Sequence, residues 1–146
     1  MPVTIRKARP EDKAACLALL GALADATGSS IAAAAGDVFD TLLDESRGMV
    51  LVAEEDGPLL GLASVTFNPA MRYGGEYCQL EELVVDPEAR GKNLGALLVE
   101  ATLEQARQRG CAEYGLYLVA STEKNWPFYE KFGFERVGTE LRQPLL

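Results

Sequence analysis

The order of apolar and polar residues along the first half of the chain predicts one strand, two helices and a hairpin. Residues 3–7 alternate apolar and polar side chains, which is typical of a half-buried strand. Pro10 opens a helical pattern with acids in its first turn, and residues 31–45 carry a second helical pattern. Residues 49–54 and 59–68 are β-prone runs joined by Glu-Asp-Gly-Pro, which favours a tight turn between two strands.

The second half is organised around residues 79–108, where a strand pattern is followed by a loop and a helix. Residues 79–86 (QLEELVVD) have the apolar and β-branched character of a buried strand, and Pro87 ends it because proline lacks a backbone donor. The loop Arg-Gly-Lys-Asn-Leu-Gly comes next, and Gly110 is expected to cap the helix that follows it. Four apolar residues mark one face of that helix: Leu94, Leu97, Leu98 and Ala101.

The remaining patterns predict a mixed α/β sheet. Residues 113–120 (EYGLYLVA) form a further predicted strand, and residues 134–137 and 141–145 predict a closing hairpin. Strands that alternate with helices in this order favour a mixed sheet in one domain, residues 1–146. The apolar fraction of 48% and the charged fraction of 25% are ordinary for a globular protein.

The loop after the central strand has the properties of an anion site. A strand that leads into a glycine-bearing loop at a helix N-terminus places unpaired N–H groups and the positive end of the helix dipole together. Gly91 and Gly95 allow the backbone to close around a phosphate, and Asn93 tolerates left-handed geometry. Arg90 and Lys92 add positive charge. The alternative is an ordinary strand-to-helix turn, since the loop matches neither the P-loop nor the G-x-G-x-x-G pattern.

Charge and hydropathy narrow the class of partner. The chain has 14 Lys and Arg against 22 Asp and Glu, so its net charge is −8 and nucleic-acid binding is not expected. An acidic surface attracts cationic amines, although it also serves solubility alone. No apolar run reaches the ~20 residues that span a bilayer, and the N-terminal sequence is too charged for a signal peptide. We therefore expect a cytoplasmic protein with no membrane partner.

The absence of histidine restricts the chemistry. Without histidine, Ser-His-Asp and Cys-His catalysis are excluded and no metal site is expected. A general base must be a carboxylate, a lysine, a tyrosine or a water held by one of them. The three cysteines, Cys16, Cys78 and Cys111, are scattered, which favours a reducing compartment over a disulfide framework.

Two motifs resemble those of one enzyme superfamily. Residues 83–98 (LVVDPEARGKNLGALL) resemble the acyl-coenzyme A motif of the GNAT superfamily of N-acetyltransferases, [QR]-x-x-G-x-[GA]. Arg90 matches the first position and Gly95 the last, while Asn93 stands where glycine is usual. Residues 128–134 (FYEKFGF) resemble the second coenzyme motif of that family. The resemblance covers nearly the whole chain and implies a single-domain GNAT fold, a central mixed β-sheet flanked by about four helices.

The resemblance also implies an activity. A GNAT enzyme moves an acetyl group from acetyl-CoA to a primary amine by direct attack, here on a small molecule rather than on a peptide or protein amine. The alternative is a catalytically idle GNAT-fold module that binds acyl-CoA as a sensor or interaction domain. A homodimer is expected from family habit alone. The acceptor is not specified by any motif, because acceptor specificity is determined by loops that admit many ligands.

The coenzyme contacts that the resemblance implies lie at the end of the central strand, in the basic loop and before the second motif. Thr122 stands where the family usually has asparagine, and Asn125 where a small residue is common. Pro127 fits only the first turn of a helix, so a helix is predicted to start near Asn125. The implied contact residues are Leu83, Val84, Val85, Arg90, Gly91, Lys92, Asn93, Leu94, Gly95, Ala96, Thr122, Asn125 and Phe128.

The resemblance implies three catalytic residues. Tyr129 corresponds to the tyrosine that protonates the coenzyme sulfur; the bland alternative is a half-buried core tyrosine. Glu81 or Glu82 supplies the base, and Glu81, acting through a water, is favoured because related L-E-[DE] strings use the first position. Adjacent strand residues face opposite sides, so only one of the two carboxylates is expected in the site unless a bulge intervenes. Solvent-facing or salt-bridged carboxylates are the alternative.

Overall fold

A computed structural model of the chain describes residues 2–26 and 28–146. Four α-helices and five strands occur in this part of the chain, with short 3₁₀ turns between them. In order they are β1 (Thr4–Lys7), α1 (Lys13–Ala26), α2 (Ala35–Leu42), β2 (Gly48–Glu54), β3 (Leu59–Ala70), β4 (Gly75–Val85), α3 (Leu94–Arg109), β5 (Tyr114–Leu116) and α4 (Trp126–Glu130).

The five strands form one mixed sheet in the order β1-β2-β3-β4-β5. The first three neighbouring pairs are antiparallel, and β4 pairs with β5 in parallel. A parallel pair requires a crossover, and α3 provides it. The mixed sheet with about four helices that the sequence predicted is therefore confirmed.

Helices cover both faces of the sheet and create two apolar clusters. On one face α3 contributes Leu94 and Leu98, which pack with residues of β2, β3 and β4. On the other face Cys16 and Leu19 of α1 and Phe39 of α2 cover the central strands. Because it is covered on both sides, β2 is buried along almost its whole length, as expected of a strand with a continuous apolar sequence.

Several local predictions are confirmed by backbone geometry. Gly110 caps α3 at φ +83°, and Asn93 precedes the same helix at φ +61°. The turn between β2 and β3 uses Asp56 and Gly57, both with positive φ. At Gly61 a side-chain carbon would lie 2.8 Å from the carbonyl oxygen of Val84, so this position requires glycine for close approach of β3 and β4.

The predicted boundaries of the second helix and of the central strand were wrong. α2 begins at Ala35 rather than at residue 31, because residues 31–34 are exposed and have no core contact to stabilise a helical turn. Its sequence pattern extended to residue 45, but Glu45 adopts φ +64°, which is incompatible with a continuing helix. β4 begins at Gly75 rather than at residue 79, because its first residues pair with the end of β3.

The closing hairpin predicted at residues 134–145 was also wrong, and so was the length of β5. The structure has no strand after Leu116, and β5 has three residues instead of the eight of residues 113–120. A short edge strand offers few backbone groups for pairing, and an isolated two-stranded hairpin is only marginally stable in water. Residues 135–146 instead have no regular secondary structure and are exposed, with Val137 and Leu141 at 91% and 89% exposure.

Candidate active site

The sheet opens where β4 and β5 separate. β4 pairs with β3 as far as Val85, but its pairing with β5 in the described residues ends at Leu80 and Leu116. Beyond this point the β5 side of β4 lies against a cleft rather than against a strand. The family resemblance implies coenzyme contacts at Leu83 to Val85, and Leu83 lines this cleft; those contacts stay a prediction.

A cavity of about 620 Å³ occupies the region of this divergence. Its lining comes from α1, α2, the central strands and the segment between β5 and α4. Six of the residues predicted for the site line it together: Glu81, Glu82, Leu83, Thr122, Asn125 and Tyr129. The volume is within the range of about 300–1,000 Å³ that is usual for small-molecule sites.

A β-bulge brings both carboxylates to one face of the sheet. Ser64 pairs with Glu82 and Val65 pairs with Leu80, so Glu81 is an extra residue in β4. The Thr66 hydroxyl donates to Oε2 of Glu81 at 2.7 Å, and the Ser64 hydroxyl donates to Oε1 of Glu82. Ser64 and Thr66 lie two apart on β3 and therefore share a face, so their carboxylate partners lie on that face too. Only one carboxylate was expected in the site unless a bulge intervened. The bulge is present, and both carboxylates line the cavity.

The two carboxylates lie in different environments. Glu81 is exposed, whereas Glu82 is half-buried and contacts the buried Ser64. Burial raises the pKa of Glu82 above its ordinary value, the Ser64 hydrogen bond opposes that rise, and the charge of Glu81 adds to it. A carboxyl with a raised pKa is a stronger base near neutral pH than an ordinary glutamate.

Tyr129 lies on α4 and is held by aromatic contacts. Its ring meets the edge of Phe128 at 5.0 Å between centroids and that of Phe134 at 6.1 Å. Burial raises the pKa of Tyr129, so the phenol keeps its proton at neutral pH. None of the hydrogen bonds between described residues involves its hydroxyl, which leaves that group available to a ligand in the cavity.

The predicted anion loop has the geometry of a phosphate cradle. Gly91 at φ +91° and Asn93 at φ +61° turn the chain sharply before α3. The first helical hydrogen bond runs from the Leu97 N–H to the Asn93 carbonyl at 3.1 Å, so the N–H groups of residues 94–96 precede the helical ladder. These groups and the dipole of a 16-residue helix favour an anion at this end.

Two further contacts define this end of α3. Lys92 donates to both carboxylate oxygens of Glu55 at 3.0 Å, so its ammonium is held beside the loop, while Arg90 is exposed. A side-chain carbon at Gly95 would lie 3.4 Å from Cζ of Phe128. Phe128 of α4 thus lies beside Gly95 at the start of α3, so the two predicted coenzyme motifs are neighbours in the fold.

The predicted contact residues differ in how they can contribute. Val84 is buried in the cluster under α1 and α2, and Val85 packs on the α3 side, so a ligand in the cleft reaches them only through the backbone. The Thr122 hydroxyl donates to the Val119 carbonyl at 3.2 Å. Asn125 directly precedes α4, which confirms the predicted start of that helix.

The Acetyltransferase (GNAT) family model matches residues 20–134. The chain belongs to the GNAT acetyltransferase family. It is 35% identical over 97 residues to a glucosamine 6-phosphate N-acetyltransferase of Trypanosoma brucei brucei, covering 66% of this chain and 64% of that protein. It is 32% identical over 146 residues to the glucosamine 6-phosphate N-acetyltransferase of Arabidopsis thaliana, covering 94% and 93% of the two chains.

A solved structure supports the same fold. The crystal structure of a Trypanosoma brucei acetyltransferase matches this GNAT chain with a TM-score of 0.80 at 28% identity, over 99% of this chain and 100% of the other. The GNAT fold expected from the two sequence motifs is confirmed. The chain spans 64% of the first trypanosome relative, and about a third of the mycothiol acetyltransferases that it also resembles, at 33% and 30%.

Two parts of the site in this GNAT chain were missed by sequence reasoning. The first is Ser64, a buried hydroxyl that contacts Glu82; its signal was a serine inside the apolar run Leu-Leu-Gly-Leu-Ala-Ser-Val. The second is the cavity wall formed by α1 and α2. The family resemblance implies that these helices form part of a substrate wall, but their sequence pattern favoured ordinary core helices. The side chains of the wall are apolar, so no residue type distinguished them from core.

Residues 2–26 and 28–146 contain neither a metal-binding group nor a membrane-spanning helix. No group of three or more Cys, Asp or Glu side chains in this part is arranged to hold a metal ion. None of its helices is both long and apolar enough to cross a bilayer. The expectations of a metal-free reaction and of a cytoplasmic location stay predictions.

Proposed function

We propose that this GNAT chain transfers the acetyl group of acetyl-CoA to the primary amine of a small molecule by direct attack. The observation that carries the proposal is the cavity at the divergence of β4 and β5. It joins two carboxylates and a protonated tyrosine beside a loop with the geometry of a phosphate site. Relatives named glucosamine 6-phosphate N-acetyltransferase and mycothiol acetyltransferase support a small-molecule acceptor.

The chain has groups suited to each part of the coenzyme. The N–H groups of Leu94, Gly95 and Ala96, with Arg90 and Lys92, are suited to its pyrophosphate. The open edge of β4 from Leu83 to Val85 is suited to an extended amide-bearing arm. Thr122 and Asn125 line the same cavity, and Phe128 lies beside Gly95. The coenzyme supplies an acetyl thioester, and no covalent bond to the protein is required.

The residues of the cavity complete the proton balance of the transfer. A bond forms between the amine nitrogen and the acetyl carbon, and the carbon–sulfur bond breaks. Glu82 accepts the proton that the neutral amine loses as the amide forms, directly or through a water, because its raised pKa suits a base near neutral pH. An amine that arrives as an ammonium ion first releases one proton to solvent. Tyr129 donates its hydroxyl proton to the departing sulfur, because its burial keeps the phenol protonated.

In this proposal Glu82 is the general base, although the sequence resemblance had favoured Glu81 for that role. Glu82 is the less exposed of the two and is fixed by the buried Ser64. Glu81, exposed and bonded to Thr66, contributes negative charge that attracts a cationic amine. Both carboxylates therefore act on the acceptor in this proposal, one by proton transfer and one by electrostatic attraction.

The proposal includes a cytoplasmic homodimer that binds neither nucleic acid nor membranes. The net charge of −8 disfavours phosphate backbones, and three free thiols suit a reducing compartment. Val137, Leu141 and Leu145 are exposed apolar side chains in a segment after α4 that has no regular secondary structure. Their exposure supports contact with a second copy of the chain. Light scattering coupled to gel filtration measures the mass that tests this part.

The function is tested by thiol release from acetyl-CoA across a panel of small amines, with a thermal shift by coenzyme A measured in parallel. We expect both a shift and an acceptor-dependent release. A shift with no release for any amine would support an idle acyl-CoA-binding module instead. No shift at all would contradict the assignment of the anion loop, and Arg90→Ala with Lys92→Ala provides the variant in which that shift should be reduced.

A further inference from the structure

The cavity has an apolar wall on the side formed by α1 and α2. In the proposed reaction this side, the acceptor end, receives the amine. α1 contributes Leu20 and Leu23, the following segment contributes Ile31, and α2 contributes Val38 and Phe39. Three of these side chains are exposed to solvent despite being apolar: Leu23 at 37%, Ile31 at 39% and Val38 at 56%. Partly exposed apolar side chains that converge on one cavity are typical of a ligand site rather than of a solubilising surface.

The charge of the same cavity is one-sided. Among its described lining residues the only charged side chains are Glu81 and Glu82, and none is a lysine or an arginine. Lys13, on α1, is bonded to Asp40 of α2 at 2.8 Å and is not part of the lining. Arg72 and Arg136 do not line this cavity; they line an adjoining one that shares Leu116, Tyr117, Leu118 and Tyr129 with it. A ligand in the active-site cavity therefore meets apolar surface and negative charge.

We propose that the acceptor is a cationic primary amine on an aliphatic or aromatic body, and that phosphorylated amino sugars are poor acceptors. This inference rests on the proposed acetyl transfer and adds the class of substrate. The ammonium group is attracted by Glu81 and Glu82. The body packs on the apolar wall that α1, α2 and the segment between them form. Burial of each additional methylene favours binding, so the wall discriminates between amines by their apolar area.

A phosphate group meets no cationic side chain among the described residues that line this cavity. Phosphate recognition uses arginine or lysine, or free N–H groups at a helix N-terminus, and the described lining provides two carboxylates instead. Placing like charges together in a partly desolvated site is strongly unfavourable. The relatives named for glucosamine 6-phosphate thus share the fold with this chain, while this acceptor end favours a different body on the amine.

The test compares amines that differ in body and charge. Phenethylamine and hexylamine are the apolar cations, glucosamine is the polar cation, and glucosamine 6-phosphate carries the anion. With acetyl-CoA at saturation, thiol release gives kcat/KM for each, and we expect the apolar amines to exceed glucosamine 6-phosphate on the order of 100-fold. Equal or better use of glucosamine 6-phosphate would overturn the inference while leaving the acetyltransferase function intact.

Binding is measured separately so that the inference does not depend on turnover. Each amine is added to the protein saturated with coenzyme A, and the shift in unfolding temperature is recorded. Phenethylamine should raise the temperature and glucosamine 6-phosphate should not. Stabilisation by glucosamine 6-phosphate, or none by either apolar amine, would overturn the inference even if no thiol is released.

A matched pair of variants locates the effect. Val38→Ser removes an apolar group of the wall, and valine and serine have similar helix propensity, so α2 should be retained. We expect KM for phenethylamine to rise roughly threefold to tenfold with KM for acetyl-CoA unchanged. Met71→Ser, at a fully exposed position that lines neither cavity, is the control and should change neither constant. An unchanged phenethylamine KM in Val38→Ser would contradict the proposed wall.

Discussion

Ser64→Ala should shift the pH dependence of the reaction, because Ser64 stabilises the ionised form of Glu82. The Ser64 hydroxyl donates to Glu82 in a region where Ser64 itself is only 3% exposed, so water does not readily replace it. This hydrogen bond lowers the pKa of Glu82 against the larger opposing effect of burial. Its loss raises the pKa of Glu82 further, and a smaller fraction of the base is ionised at a given acidic pH.

The size of the effect follows from the strength of a charged hydrogen bond. Such a bond contributes about 1.5–3 kcal/mol, and 1.4 kcal/mol corresponds to about a tenfold change in the acid dissociation constant of Glu82. We therefore expect kcat/KM on the acidic limb to fall about 10- to 100-fold in Ser64→Ala. At higher pH, where Glu82 is ionised again, the variant should approach the plateau of the unmodified protein.

The assay is the pH profile of kcat/KM from thiol release, with three comparison variants. Glu82→Gln should lose activity at every pH because the base is absent. Thr66→Val removes the 2.7 Å hydrogen bond to Glu81 and should leave the acidic limb in place. Glu81→Gln removes a charge that raises the pKa of Glu82, so it should move the limb to lower pH, opposite to Ser64→Ala. An unmoved limb in Ser64→Ala, or a limb displaced by Thr66→Val alone, would refute the assignment of Glu82 as the base.

Three other perturbations have defined outcomes. Tyr129→Phe should lower kcat at least tenfold while KM for acetyl-CoA is nearly unchanged, and undiminished turnover would remove the acid role. Lys92→Ala should raise KM for acetyl-CoA several-fold, whereas Glu55→Gln should lower it by releasing the ammonium held at 3.0 Å; the same direction in both variants would contradict this. Asp12→Asn should reduce the free energy of unfolding by about 1–3 kcal/mol at pH 7, since Asp12 accepts from Arg6 at 2.8 and 3.1 Å. The Arg6 hydrogen bonds lower the pKa of Asp12, so its contribution is complete above the ordinary value of 3.8 and is lost as pH falls through the lower folded-state value. The difference in the free energy of unfolding between the unmodified protein and Asp12→Asn, measured by chemical denaturation, should therefore become smaller in acid. A difference that stays the same at every pH would contradict the ion pair as its cause.

Sequence predicted those features that depend on the stereochemistry of single residues. Asn93 and Gly110 bracket α3 with left-handed geometry, and both residue types tolerate it at low cost. Gly61 interrupts the apolar run of residues 59–68, where a glycine indicates a bulge or a close approach, and it lies against the Val84 carbonyl. Residue type restricts backbone conformation locally, so such features can be predicted without knowledge of the tertiary structure.

Features that depend on contacts between distant segments were not predictable in the same way. The environment of Glu82 depends on Ser64, which lies 18 residues away and faces it only because of the register of β3 and β4. Wall residues such as Phe39 and Val38 have the same pattern as any core helix. The closing hairpin failed for a related reason, since the alternation at residues 134–145 is stable as strand only against an edge that the short β5 does not provide.

The bulge at Glu81 connects the shape of the cleft to its chemistry. Before it, Cys78 and Leu80 point to the α3 side of the sheet; after it, Glu82 faces Ser64 and Val84 packs under α1 and α2. Without the extra residue, strict alternation could not place Glu81 and Glu82 on one face. A bulge also increases local twist, and pairing between β4 and β5 ends at Leu80, immediately before it. One inserted residue thus accounts both for the opening of the sheet and for the two carboxylates that line that opening.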